Sequence, residues 1–284
     1  VVRDVTGSLR VRGFGDPLGV RVTASVPFAP PLDVGAAVVA DAHGVRLGGR
    51  DLDRVEALFG PDVRAAAAAA GAAGHLEVAD GQVGWRAWFP LPGEADTAAE
   101  AVGHALRVHA ALEAARGAVG PRAGLEAAAA AFAAAPRPQG LVASGAPVGV
   151  LGAVAGVPLA VWATPRGLEV RIGLPTPLPG APQVVREERF GWADRLGATL
   201  AGRGEVTVGD AAFDARFAVR SLRPEALAEV LTPEVRAAML ALDAHLAVAL
   251  GAAAVTASGP LDPTVVGEVV ARAAALAETL SRAR

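Results

Sequence analysis

The sequence predicts an α+β fold made of two tandem, diverged copies of one strands–helix–hairpin–helix unit, with antiparallel sheets carrying helices on one face. Three observations predict it. Short runs rich in Val and Leu, bounded by Gly and Pro, alternate with Ala-rich stretches whose larger apolar residues recur at helical spacing. An ordered series of echoes recurs at an offset near 170 residues. More than half of the 284 residues are hydrophobic (52%), enough to bury a core in each copy.

The echoes run in chain order. Pro61-Asp62-Val63-Arg64-Ala65-Ala66 returns as Pro233-Glu234-Val235-Arg236-Ala237-Ala238, His75-Leu76 as His245-Leu246, Gly81 as Gly251, and Pro90-Leu91 as Pro260-Leu261. Upstream, Val45-Arg46-Leu47-Gly48 with Leu52-Asp53 resembles Val206-Thr207-Val208-Gly209 with Phe213-Asp214, at an offset nearer 161. The difference assigns about eleven extra residues to the second copy, around Ala215–Pro224, and with them a strand at Phe217-Ala218-Val219. The first copy is placed at 1–116 and the second at 117–284.

In the first copy, strands are expected at 20–26 and 34–39, a helix at 53–70, a hairpin around Asp80-Gly81 and a helix at 96–115. An Ala-rich helix at 124–135, stopped by Pro136-Arg137-Pro138, opens the second copy. Strands at 157–162 and 168–174 follow, then a strand pattern over 206–208 and 213–219. Pro224 opens a helix that Pro233 interrupts, with Thr232 as N-cap of the second piece. A hairpin around Gly251 and a final helix capped by Asp262 or Thr264 complete the copy.

Composition narrows the chemistry. Lys, Asn, Tyr and Cys are absent and Ala makes up roughly a quarter of the chain, the codon signature of a G/C-rich bacterial genome. Without Cys there is no thiol nucleophile, and without Lys no Schiff base and no P-loop lysine. Charge is near balance at −3, aromatics are 4%, and no contiguous basic tract occurs, so nucleic acid is not expected as a partner. Residues between Arg137 and Arg166 are uncharged over a length that could span a bilayer. That stretch is rich in Gly and contains Pro147 and Pro158, which suit strands better than an unbroken helix, so no membrane segment is expected. A cytoplasmic location is expected, while the start at Val1-Val2-Arg3, without an initiator Met, reads as a trimmed N-terminus that would hide any targeting segment.

Candidate site residues are few. Asp210 and Asp214 would share one face of a strand, where paired carboxylates could do acid/base work with Arg216 beside them. Trp85 and Trp88, three apart, would stand on opposite faces of a strand, leaving one of them, together with Trp192, as a contact point. His104 and His109 lie about 140° apart on a helix and cannot share a metal ion, so neither a metal nor a cofactor is expected. The charge run Arg186-Glu187-Glu188-Arg189 reads as a solvated face, and Gly13-Phe14-Gly15 with Gly19 as a turn.

The motif Val208-Gly209-Asp210, then Phe213-Asp214, Phe217 and Val219, followed by Leu231-Thr232-Pro233-Glu234-Val235-Arg236, resembles a family of uncharacterised bacterial proteins of unknown function. That resemblance covers 155–284 and implies no activity. The order helix, three strands, helix, two strands, helix is similar to the type III secretion chaperone-like fold, whose members bind other protein chains and often pair. The expectation is therefore a non-enzymatic binding or protein-interaction module, its partner another protein or a small apolar ligand, with the two copies arranged as a pseudo-dimer. The alternatives are an enzyme using Asp210 and Asp214, or a structural domain of a larger polypeptide.

Overall fold

A computed structural model describes residues 3–4, 7–8, 10–16, 19–89, 94–174, 176–178, 182–189 and 204–283. The described residues form an α+β fold with two antiparallel sheets of six and nine strands and one two-stranded ladder. The chain forms two compact units, 1–123 with 144–147 and 124–143 with 148–284, so the division falls after Ala123 rather than after Arg116.

In the first unit β1 (Arg3–Asp4) pairs with β2 (Gly7–Ser8). The sheet is built from β3 (Arg10–Asp16), β4 (Gly19–Pro27), β5 (Ala37–Asp41), β6 (Gly44–Arg46), β7 (His75–Ala79) and β8 (Gln82–Phe89). Their spatial order is β3-β4-β8-β7-β5-β6. Helices α1 (Leu52–Leu58), α2 (Pro61–Ala73) and α3 (Glu94–Ala115) supply the other layer. Alternation along the strands sends Val22, Ala24, Val26, Val38, Ala40, Leu76, Val78, Val83 and Trp85 into the core, against Val55, Leu58, Val63, Ala67, Val108 and Leu112 of the helices.

The expected single helix at 53–70 is two. Asp51 caps α1 by accepting the Arg54 amide, and Pro61, with no N–H to continue the ladder, starts α2 afresh after Gly60. The expected turn at Gly13–Gly15 is instead strand: Gly13 and Gly15 face Val22 and Val20 across the β3–β4 ladder. Asp80 in the β7–β8 turn fixes a distant loop, its carboxylate accepting the amides of Val34 (3.1 Å), Gly35 (2.9 Å) and Ala36 (3.0 Å).

The second unit begins with α4 (Glu126–Ala134). Its strands are β9 (Leu141–Gly145), β10 (Val148–Val154), β11 (Val157–Thr164), β12 (Gly167–Gly173), β13 (Gln183–Arg186), β14 (Gly204–Glu205), β15 (Phe217–Ser221), β16 (Ala247–Leu250) and β17 (Ala254–Gly259). The order across the sheet is β14-β15-β13-β16-β17-β12-β11-β10-β9. Helices α5 (Ala211–Asp214), α6 (Pro224–Val230), α7 (Pro233–Asp243) and α8 (Val266–Arg282) complete it. The uncharged stretch after Arg137 is thus three strands, and no helix among the described residues is long and apolar enough to cross a membrane. Thr232 caps α7 through the Val235 amide as expected, whereas α8 starts without a side-chain cap and Asp262 instead accepts from Thr264.

One succession of elements occurs in both units. The order β3-β4-β8-β7-β5-β6 in the first matches β11-β12-β17-β16-β13-β15 in the second. The helix pairs α1–α2 and α6–α7 each break before a proline, at Pro61 and Pro233, and a helix follows the hairpin in each unit. On this equivalence β6 corresponds to β15, not to 206–208. The extra residues of the second unit therefore lie between β13 and β15, not at 215–224.

Candidate functional site

The carboxylates singled out in the sequence sit where the second unit's chain turns into β15. Residues 206–208 are irregular, and 211–214 form a helical turn rather than a strand, so Asp210 and Asp214 do not share a strand face. Both are bound to backbone. Asp210 caps the turn by accepting the Phe213 amide (3.1 Å) and pairs with Arg236 Nε (3.1 Å). These two contacts hold its carboxyl below the ordinary Asp range. Asp214 accepts three successive amides, from Val208 (3.0 Å), Gly209 (3.1 Å) and Asp210 (3.2 Å). Gly209, at φ +77°, adopts the left-handed conformation that lets those amides converge. Local side-chain bonds have replaced the sheet ladder that the residue spacing suggested.

Arg216 does not pair with Asp214. Its Nε donates to Asp243 at 2.6 Å, and Arg186 Nε reaches the other oxygen of the same carboxylate at 2.7 Å. Asp243 is 3% exposed and also accepts the Val248 amide at 3.0 Å. Arg186 donates further to the carbonyls of Asp243 (2.8 Å) and Leu246 (3.3 Å), satisfying acceptors left over where α7 ends. The run at 186–189 is therefore not a wholly solvated face: Arg186 is mostly buried and ties β13 to the end of α7. A lone Asp at a helix end gave no sequence signal for this hub.

Trp85 is core, not a contact surface. It is 2% exposed, its indole N–H donates to the Ala70 carbonyl (2.8 Å), and His104 stacks on it at 5.7 Å between ring centroids. Gly74 makes room, since a Cβ there would stand 2.5 Å from the indole. Trp85 thus serves the end of α2 as Arg186 serves the end of α7. Trp88 is the Cα partner of Arg21, its side chain lying outside the described residues, as Trp192 does entirely.

In the first unit two buried arginines staple loops together. Arg54 donates to the carbonyls of Asp33 (2.7 Å), Gly120 (3.1 Å) and Gly145 (2.6 Å). Arg116, 2% exposed, donates to those of Pro30 (2.8 Å), Pro31 (3.3 Å) and Ala146 (2.7 Å) and pairs with Glu113 at 2.7 Å. Phe28 lies under the Arg116 guanidinium at 5.3 Å and stacks with His109 at 4.7 Å. Burial lowers the pKa of both arginines, and it raises that of Asp33, whose Oδ1 meets Arg122 at 2.9 Å while its buried Oδ2 has no hydrogen-bond partner among the described residues. Sequence reasoning passed over both arginines, because nothing in a local pattern distinguishes an arginine that gathers carbonyls from a solvated one. The described residues contain no group of three or more His, Asp or Glu able to hold a metal ion.

No protein-family model, curated protein or solved structure matches this chain.

Proposed function

We propose that the chain is a non-enzymatic interaction module, arisen by duplication of one folding unit, that pairs with an extended segment of another protein along strand β9. The observation that carries this reading is Val142. It stands on the edge strand of the nine-stranded sheet and is 64% exposed, with Ala143 exposed beside it. Strand edges in natural proteins are usually blunted by charge, proline or a bulge, because their free amides and carbonyls otherwise recruit further strands. Between Arg137 and Arg166 there is no charge, and Gly152 and Ala153 of the neighbouring strand are exposed as well. Such an edge suits strand addition, with main-chain hydrogen bonds giving affinity and small side chains imposing little selectivity.

The shared element order of the two units supports the duplication. Similarity of that order to the secretion chaperone-like fold points toward a protein partner, and a cytoplasmic location belongs to the same proposal. The enzymatic alternative is disfavoured by geometry: Asp210 and Asp214 already hold backbone amides, and Arg216 holds Asp243.

A photoreactive residue at position 142, introduced in the producing cell, tests the reading. A discrete adduct with one protein is expected, lost when Ala143 is replaced by Arg and absent with the probe at exposed Ala69. Adducts no more abundant than those from position 69 would overturn it.

A further inference from the structure

Hydrogen bonds around the β9 edge define which of its main-chain groups face outward. The Ala153 amide of β10 donates to the Gly140 carbonyl at 3.2 Å, so residue 140 turns its main chain toward β10. By strand alternation 142 and 144 do the same, while 141, 143 and 145 turn theirs away. Two of those outward residues are already engaged. The Leu141 amide donates to the Pro138 carbonyl at 3.2 Å, and the Gly145 carbonyl accepts from Arg54 at 2.6 Å. The Val119 carbonyl also leaves no room for a side chain at 145. Among the described residues, the Leu141 carbonyl and both main-chain groups of Ala143 therefore face the open edge of the sheet.

Side chains around that window are apolar. Leu141 and Val150 sit in the core, whereas Val142, 64% exposed, stands on the sheet face away from the helices. On that face β10 adds half-buried Leu151 and exposed Ala153, whose Cα partners on β11 are Ala160 and Pro158. Counting inward from β9 along the sheet, the first charges on that face are Glu169 and Arg171 of β12. They lie about 14 Å from β9, at about 4.8 Å per strand. An added strand would stand farther off still, beyond the Debye length at physiological salt.

Resting on the strand-addition reading, we infer that the partner segment is uncharged, apolar at alternate positions, and centred on Ala143. One of its residues exchanges main-chain hydrogen bonds with Ala143, and a neighbouring amide reaches the Leu141 carbonyl. Such bonds do not distinguish one partner residue from another, so selection falls to the side chains. The two neighbours of the residue paired with Ala143 share the face of Val142. An ion there would lose water against Val142 and Leu151 with no counter-charge to replace it.

The photoreactive residue at position 142 tests this on the full chain once the crosslinked segment is mapped by mass spectrometry. The expected segment carries no Asp, Glu, Lys or Arg among the residues immediately flanking the crosslink. Ala143→Pro removes one outward N–H and keeps the ladder to β10, as proline does on edge strands. The adduct should then fall about tenfold at unchanged melting temperature. Ala153→Glu and Ala153→Lys place opposite charges at an exposed position beside Gly140, over which a long side chain reaches the added strand. Both should lower the yield, and they serve where Ala143→Pro does not fold. Three results would overturn the inference while leaving β9 a contact surface: a charged crosslinked stretch, a yield raised by either charge at 153, or an adduct that survives Ala143→Pro in folded protein. No adduct above the position 69 background would overturn the strand-addition reading itself, and this inference with it.

Discussion

Replacing Asp243 by Ala separates a structural hub from a catalytic one. The carboxylate is 3% exposed and holds two guanidiniums, but they do not count equally. Arg216 is 43% exposed, so its pair contributes at most about 1 kcal/mol after solvent screening. Arg186 is 18% exposed; without Asp243 it keeps two carbonyls but loses its counter-charge inside the fold. The buried Val248 amide loses its side-chain acceptor too. Removing one partner of a buried pair costs about 3–5 kcal/mol, and the surviving carbonyl bonds place this case near about 3. For a unit of this size that corresponds to a fall in Tm of about 6–12 °C by calorimetry. Arg216→Ala should cost less than about 1 kcal/mol, and a double-mutant cycle should assign most of the coupling to Arg186. A loss below about 1 kcal/mol for Asp243→Ala, or equal losses for Asp243→Ala and Arg216→Ala, would refute the reasoning. A gain in stability would point instead to a functional carboxylate held at a cost to the fold.

Three further outcomes follow from the same geometry. Trp85→Ala should destabilise the first unit by about 3–5 kcal/mol in urea unfolding, and Trp85→Phe by less, since the ring is mostly kept while the bond to Ala70 is lost. Asp33→Asn should raise stability at neutral pH: burial raises the native pKa, so the ionised form is penalised in the fold, and Asn tolerates the φ of +52°. That advantage should vanish below about pH 4, where the carboxyl is protonated in both the native and the unfolded chain; an advantage independent of pH in denaturant titrations would contradict it. Asp210 behaves oppositely. Its lowered pKa gives stability that is present above the unfolded value near 3.8 and lost as pH falls through the native one, so Asp210→Ala should flatten the acid limb of the stability profile.

Legibility varied with the range of the interaction involved. Pro61 and Pro233 mark helix starts through their own covalent geometry, Thr232 caps three residues on, and the hairpin around Asp80-Gly81 needs only its own turn. These were readable because the physics lies within a few residues. The strand at 206–208 was misread because the alternation there is real, yet Asp214 competes for the amides of Val208 and Gly209 that a ladder would use. The offset of 161 was misleading for a related reason: Val45–Gly48 and Val206–Gly209 look alike, but in the sheet orders it is β6 and β15 that occupy matching places.

What the sequence determined by itself is the class: apolar periodicity, prolines and glycines specify which stretches become helices and strands, because those preferences act locally. What only the tertiary structure decided is which charges meet. Arg186 and Asp243 lie 57 positions apart, and Arg54 and Gly145 91 apart. No residue pattern announces such partners, because an arginine has the same local preferences whether it faces water or gathers buried carbonyls. The choice is made when distant segments close over it and remove the water.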